Sequence, residues 1–178
     1  MTLLGSAIRK NDYEQVIKIC EPGIEATPDA LEFYFYLVIA YNQAEHWDDV
    51  LEVSRKALEH VTPESDKQMV SDFYTIIGDV YHTKKLMKEA YAAYDSALVY
   101  NPSNIGALNN YAYYLSVERR DLDKAEEMSY KTVKAAPNNA TYLDTYAWIL
   151  FEKGNYAEAR IYIDDAIKNT KPEEESSV

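Results

Sequence analysis

Between residues 74 and 102 bulky apolar residues recur at helical spacing, interrupted by small residues at fixed places. Tyr74, Ile77 and Tyr81 surround Gly78; Ala90, Tyr94 and Ala97 follow, and then Pro102. Steps of three and four residues put each set on one face of a helix, which is the mark of an amphipathic segment. The stretch therefore predicts two helices joined by a short turn, each with an apolar stripe it cannot bury alone. The pattern recurs along the chain. Its second helix is marked by Val16, Val50, Ala90, Ala125 and Ala159, spaced by 34, 40, 35 and 34 residues. Seven residues further on stand Gly23, Ala57, Ala97, Thr132 and Ala166, again small or short. Units keeping one register predict a stack of antiparallel helix pairs, each made of a helix A and a helix B.

The residue types carry a packing logic. Gly78, Ala112 and Ala147 in the A helices are expected to face Ala90, Ala125 and Ala159 in the B helices, so that the backbones approach closely. A glycine inside a helix costs about 1 kcal/mol relative to alanine, so Gly78 marks such a contact. Tyr74, Tyr81 and Tyr94, then Leu108, Leu115, Leu143 and Leu150, fill the surrounding space. Pro28, Pro102 and Pro137 separate one B helix from the next A helix. Asn101-Pro102-Ser103-Asn104 and Pro137-Asn138-Asn139 read as turns with capping side chains.

Three places depart from the pattern. Val38 stands where the other units have a small residue, which predicts a slightly wider helix crossing. The turn at Glu118-Arg119-Arg120-Asp121 has one residue more than its counterparts. Six residues are added between the second and third units. With Thr62 as N-cap and Pro63 as first helical residue, they predict a third A helix over about 63–82, with Met69 and Val70 as packing residues on the extension. At 1.5 Å per residue it would project roughly 9 Å beyond its neighbours.

These residues resemble the tetratricopeptide (TPR) repeat of 34 residues over positions 1 to about 170. The wording of 107–115 and 143–150 is similar to the C-terminal repeats of long bacterial TPR proteins. The resemblance implies an all-α fold, a right-handed superhelical solenoid of about five antiparallel helix pairs. It is read as one domain over 1–170, with units at 1–30 (incomplete), 31–70 (with the insertion), 71–104, 105–139 and 140–170. Residues 171–178, Lys171 to Val178, read as an acidic, disordered tail. Leu3 and Leu4 would lie on an edge with nothing stacked before them, so the chain is expected to be an excerpt of a longer repeat protein.

The family's concave groove is lined by A-helix residues. Carried over position by position, the resemblance implies Glu32, Phe35, Ile39 and Asn42 in the second unit, and Asp72, Thr75, Asp79 and His82 in the third. It implies Asn109, Tyr113 and Ser116 in the fourth, and Asp144, Trp148 and Phe151 with Glu152 in the fifth. Asp144, Trp148 and Phe151 also share a helix face by their own spacing. Exposed aromatics beside carboxylates are the usual make-up of a protein-binding hot spot; the alternative is that they pack on a neighbouring helix. The favoured partner-binding set is Asp79, His82, Asn109, Tyr113, Asp144, Trp148, Phe151 and Glu152. The function implied is a non-enzymatic protein–protein interaction module holding a peptide or partner helix. The runner-up is a structural segment of a larger machine, with possible self-association through the N-terminal edge. A clamp of Lys, Asn and Arg for a chaperone's terminal carboxylate is rejected, since this lining carries acids and no Lys or Arg.

Composition narrows the partner. A net charge of −12 opposes a nucleic-acid backbone and favours a basic or apolar protein surface. The mean hydropathy is −0.43, with no apolar run long enough to span a membrane. The compartment stays open. Seventeen tyrosines against four phenylalanines suit half-buried positions in thin helical layers. No catalytic set, cofactor motif or metal-ligand spacing emerges. His46, His60 and His82 are scattered, Asp79 and His82 form only an i, i+3 pair, and Cys20 reads as a buried, inert thiol.

Overall fold

Helices begin where side chains take up the free amides of the first turn. Asp12 accepts from the Gln15 amide at 3.1 Å, Asp66 from Gln68 at 2.8 Å, Asn104 from Ala107 at 3.2 Å and Asn139 from Tyr142 at 3.2 Å. The computed structural model describes residues 5–7, 10 and 12–170. Among the described residues there are helices and turns and no strand. After the helical residues 5–7 come α1 (Tyr13–Ala26), α2 (Leu31–Gln43), α3 (Trp47–Glu59), α4 (Lys67–Thr83) and α5 (Met87–Tyr100). They are followed by α6 (Ile105–Val117), α7 (Leu122–Ala135), α8 (Ala140–Glu152) and α9 (Tyr156–Asn169). The expectations on Leu3, Leu4 and the tail 171–178 lie outside the described residues.

The A-to-B turns share one device. Glu45, Lys85, Arg119 and Gly154 adopt left-handed φ values of 58°, 59°, 52° and 84°. The next amide then donates back to the carbonyl of Tyr41, Tyr81, Leu115 or Leu150 at 2.8–2.9 Å. This is the left-handed C-terminal cap that lets a helix stop in one residue. The turn after α6 carries the extra residue expected there. It is accommodated by a second left-handed residue, Asp121 at φ 40°, which also caps α7.

Two compact units divide after Pro102. In the first, α2 pairs with α3 and α4 with α5, and α4 packs on both α2 and α3. Phe73, Val38, Val50, Val70 and Val80 are fully buried there. An added Cβ at Gly78 would lie 2.8 Å from the ring of buried Tyr94. The close approach is real, but its tightest partner is Tyr94 rather than Ala90. Gly23 is likewise pressed by the Phe33 ring, at 2.7 Å from an ideal Cβ.

The third A helix corrects one sequence expectation. Thr62 and Ser65 bond to each other: the Thr62 amide donates to Ser65 Oγ at 2.9 Å, and the Ser65 amide to the Thr62 carbonyl at 3.1 Å. They close a separate turn around Pro63, and Asp66 caps the helix instead. α4 has 17 residues against 13 for α2, so it projects about 6 Å further, not 9. Val70 is buried and Met69 half-buried in the core, as their spacing predicts.

In the second unit, α6 pairs with α7 and α8 with α9, and α8 lies against both α6 and α7. Leu143, Tyr146, Leu150, Val133, Ala159 and Ala166 form one buried cluster. An ion pair recurs in both units. The residue just after an A helix is lysine, and it reaches the first turn of the preceding B helix. Lys84 Nζ meets Asp48 at 2.8 Å in the first unit, and Lys153 Nζ meets Asp123 at 2.5 Å, and also Glu126, in the second. Each lysine lowers the pKa of the aspartate it holds.

Candidate functional site

Three of the expected residues stand together on one face of α8. Trp148 and Phe151 remain 40% and 49% exposed and stack with ring centroids 5.9 Å apart. Asp144 is exposed one turn before them. Leu143, Ala147 and Leu150, on the adjacent stripe, go into the core as their spacing requires. Opposite Trp148 and Phe151, α9 supplies Tyr156, Arg160 and Ile163. Together the two helices enclose an open cleft of about 460 Å³, floored by Ala147 and Ala159. Tyr156 is 63% exposed and its ring lies 5.2 Å from that of Phe151. The cleft is thus an aromatic and aliphatic trough with one carboxylate on its α8 wall and one guanidinium on its α9 wall. Among the described residues, Arg160 has only an exposed, long contact of 4.0 Å to Asp164 on its own helix.

The other expected residues do not join this trough. Glu152 turns away: Arg119 Nε donates to its carboxylate at 2.7 Å, and the Glu152 side chain is only 4% exposed. That pair ties α8 to the turn after α6, a structural task. Asn109 is buried on α6 and donates to Asn110 at 3.4 Å. Tyr113 is exposed on α6 beside Tyr114, with ring centroids 5.5 Å apart. Ser116 is buried, its hydroxyl donating to the Tyr113 carbonyl at 2.6 Å.

In the first unit, the Tyr94 hydroxyl donates to Asp79 through a short hydrogen bond, which draws the carboxylate toward α5. His82 is half-buried one turn on. Phe35 meets Phe73 edge-on at 5.4 Å, and Thr75 donates to the Ser71 carbonyl at 2.8 Å. Asp72 accepts from Gln68 at 2.7 Å, and Glu32 is exposed. Among the described residues no three His, Cys, Asp or Glu side chains are grouped to hold a metal ion. Cys20 is buried, and burial pushes its thiol pKa up to about 11, so the unreactive thiol predominates at neutral pH.

Tyr156, Arg160 and Ile163 escape a reading that takes the groove from A helices alone. The signal was available in the register. A shift of 34 residues maps Leu122, Glu126 and Ser129 onto Tyr156, Arg160 and Ile163, so a leucine becomes a tyrosine, an acid becomes a cation and a serine becomes a large aliphatic residue.

Comparison with known proteins adds the fold's relatives. A family model of the tetratricopeptide repeat matches residues 71–104 and 140–171. Among solved structures, the chain is similar to MamA at 20% identity, with 100% of this chain and 99% of that chain covered and a TM-score of 0.74. It is similar to Pseudomonas aeruginosa PilF at 19% identity, covering 95% of this chain and 74% of that chain, with a TM-score of 0.78. It is also similar to YrrB, described as a TPR protein with an unusual peptide-binding site, at 18% identity, 94% and 82% coverage and a TM-score of 0.69. At these identities the likeness carries the fold alone. No curated protein is significantly similar in sequence.

Proposed function

We propose that this chain, whose residues 71–104 and 140–171 match the tetratricopeptide-repeat family model, binds through the cleft between α8 and α9, which would hold an apolar peptide or helix of a partner protein. Proteins of this family are generally non-enzymatic modules that bind other proteins or peptides. One similar structure, YrrB, is described as having a peptide-binding site. The observation that carries the reading is the company of Trp148, Phe151 and Tyr156, three large rings left open to solvent around a trough. A water-facing repeat edge is normally polar. Exposed aromatics clustered in a concavity are the anchors from which binding energy is usually drawn. Asp144 favours a basic residue on the partner beside the Trp148 face, where the ring adds a cation–π term.

The test is capture from a lysate with the intact chain beside a Trp148→Ala, Asp144→Lys double variant. Both side chains are substantially exposed, so the variant should retain the wild-type helical circular-dichroism spectrum. A partner held by the wild type and lost from the folded variant supports the site. Equal capture by both would move the binding surface elsewhere on the chain.

A further inference from the structure

The chain itself shows how such a cleft is filled. In the second unit, α8 lies on α6 and α7, the helices that correspond in register to α8 and α9. In the first unit, α4 lies on α2 and α3 in the same way. Each docked helix ends in a lysine that latches to the B helix beneath it: Lys153 on Asp123 and Glu126, Lys84 on Asp48. The 34-residue shift carries Asp123 and Glu126 to Ala157 and Arg160. At the α8–α9 cleft the aspartate common to both latches is therefore replaced by the neutral Ala157, and the second carboxylate, Glu126, by the cation Arg160.

We infer that the occupant of the α8–α9 cleft is an amphipathic α-helix of a partner protein, seated as α8 is on α6 and α7, with an acidic residue in its C-terminal turn against Arg160. This rests on the proposed function and sharpens it. A helix is the occupant because the cleft repeats the geometry that two of the chain's own helices fill. The charge follows from Arg160, since a lysine there would face like charge. A second copy docking by its own α8 or α4 would bring Lys153 or Lys84 to Arg160, which disfavours that occupant. The steric match is inverted as well. Asn109 and Ser116, buried on α6, correspond in register to Asp144 and Phe151 on α8, so the occupant needs small residues over Phe151.

The probe is a synthetic peptide of residues 138–154 with Ile149→Ala, made with either the native Lys153 or Lys153→Glu. Binding to the full chain is read from the Trp148 indole resonance and from peptide anisotropy. The glutamate peptide is expected to bind about fivefold tighter than the lysine peptide, the size of one exposed pair made instead of opposed. Arg160→Glu should reverse the preference. Equal affinity of the two peptides, or a preference indifferent to Arg160→Glu, overturns the latch while leaving the cleft reading intact. Binding that survives Trp148→Ala unchanged overturns the cleft reading itself, and no binding by either peptide overturns the inference of a helix. If a chain cut after Thr170 binds tenfold tighter than the full chain, the occupant is the chain's own tail and the partner-helix inference fails. Concentration-dependent dimerisation abolished by Phe151→Ala would make the occupant a second copy, and the partner-helix inference would fail in that case too.

Discussion

Replacing Gly78 by alanine sets two effects of known sign against each other. Propensity alone favours the change: alanine stabilises a helix interior by about 1 kcal/mol over glycine. The structure opposes it. The new methyl would stand 2.8, 2.9 and 3.0 Å from three atoms of the Tyr94 ring, whereas unstrained carbon contacts lie near 3.5–4.0 Å. The ring is poorly placed to give way, because it is fully buried and its hydroxyl is held on Asp79. Forcing a methylene-sized group into a packed site costs about 1–3 kcal/mol. With three sub-contact distances the upper half of that range applies, so Gly78→Ala should destabilise the chain by about 1–2 kcal/mol net. Urea unfolding followed by far-UV circular dichroism measures it. The decisive comparison repeats the substitution in a Tyr94→Leu background, which removes the ring and should turn Gly78→Ala stabilising by up to about 1 kcal/mol. If Gly78→Ala stabilises the wild type, the ring is not why glycine stands there.

Gly154 sits at φ 84° with nothing within 4 Å of an added Cβ, so Gly154→Ala should cost about 1 kcal/mol from backbone strain alone. Lys85 holds the same role at φ 59° with a side chain, so Lys85→Gly should stabilise by about 0.5–1 kcal/mol in the same urea assay. Burial, aided by Glu126 and Glu158, pushes the Tyr146 pKa up to about 12 from 10. The folded state therefore holds its proton more tightly than the unfolded chain. The contribution of Tyr146 to stability should be flat below pH 10 and be lost between pH 10 and 12, with tyrosinate absorbance lagging that of a urea-unfolded control. Cys20 should resist a thiol reagent at neutral pH until urea unfolds α1, and fast labelling of the native chain would contradict its burial.

The helix pairs were legible because their apolar periodicity is local: each stripe is a statement about residues three and four apart. Val70, Leu143 and Leu150 went where that spacing sent them. The start of α4 was not legible, because Thr62 and Asp66 are both good caps and only the reciprocal Thr62–Ser65 bonds decide between them. The surroundings of Asp79 and Glu152 were not legible for a different reason. Each lies on an A-helix face that looks solvent-directed, yet each is claimed from elsewhere in the chain, by Tyr94 from the facing helix and by Arg119 across 33 positions. Periodicity says which way a residue points along its own helix. It does not say which long side chain reaches over from another.

The same distinction separates what is ordinary from what is specific in the last repeat. Its inward positions match those of the earlier units: Leu143, Ala147, Leu150 and Ala166 are buried as Leu108, Ala112, Leu115 and Thr132 are. Its cleft-facing positions do not. Tyr113, Ser116, Glu126 and Ser129 become Trp148, Phe151, Arg160 and Ile163. Packing of α8 on α9 demands none of these changes, since the buried stripe is what joins the two helices. Nor does solubility, which would be served better by polar side chains on an uncovered face. What the four changes share is a direction. They enlarge the apolar area of the cleft and put a cation where the preceding repeat has an acid, while the supporting positions stay buried, and this joint change of volume and charge is what the proposed occupant rests on.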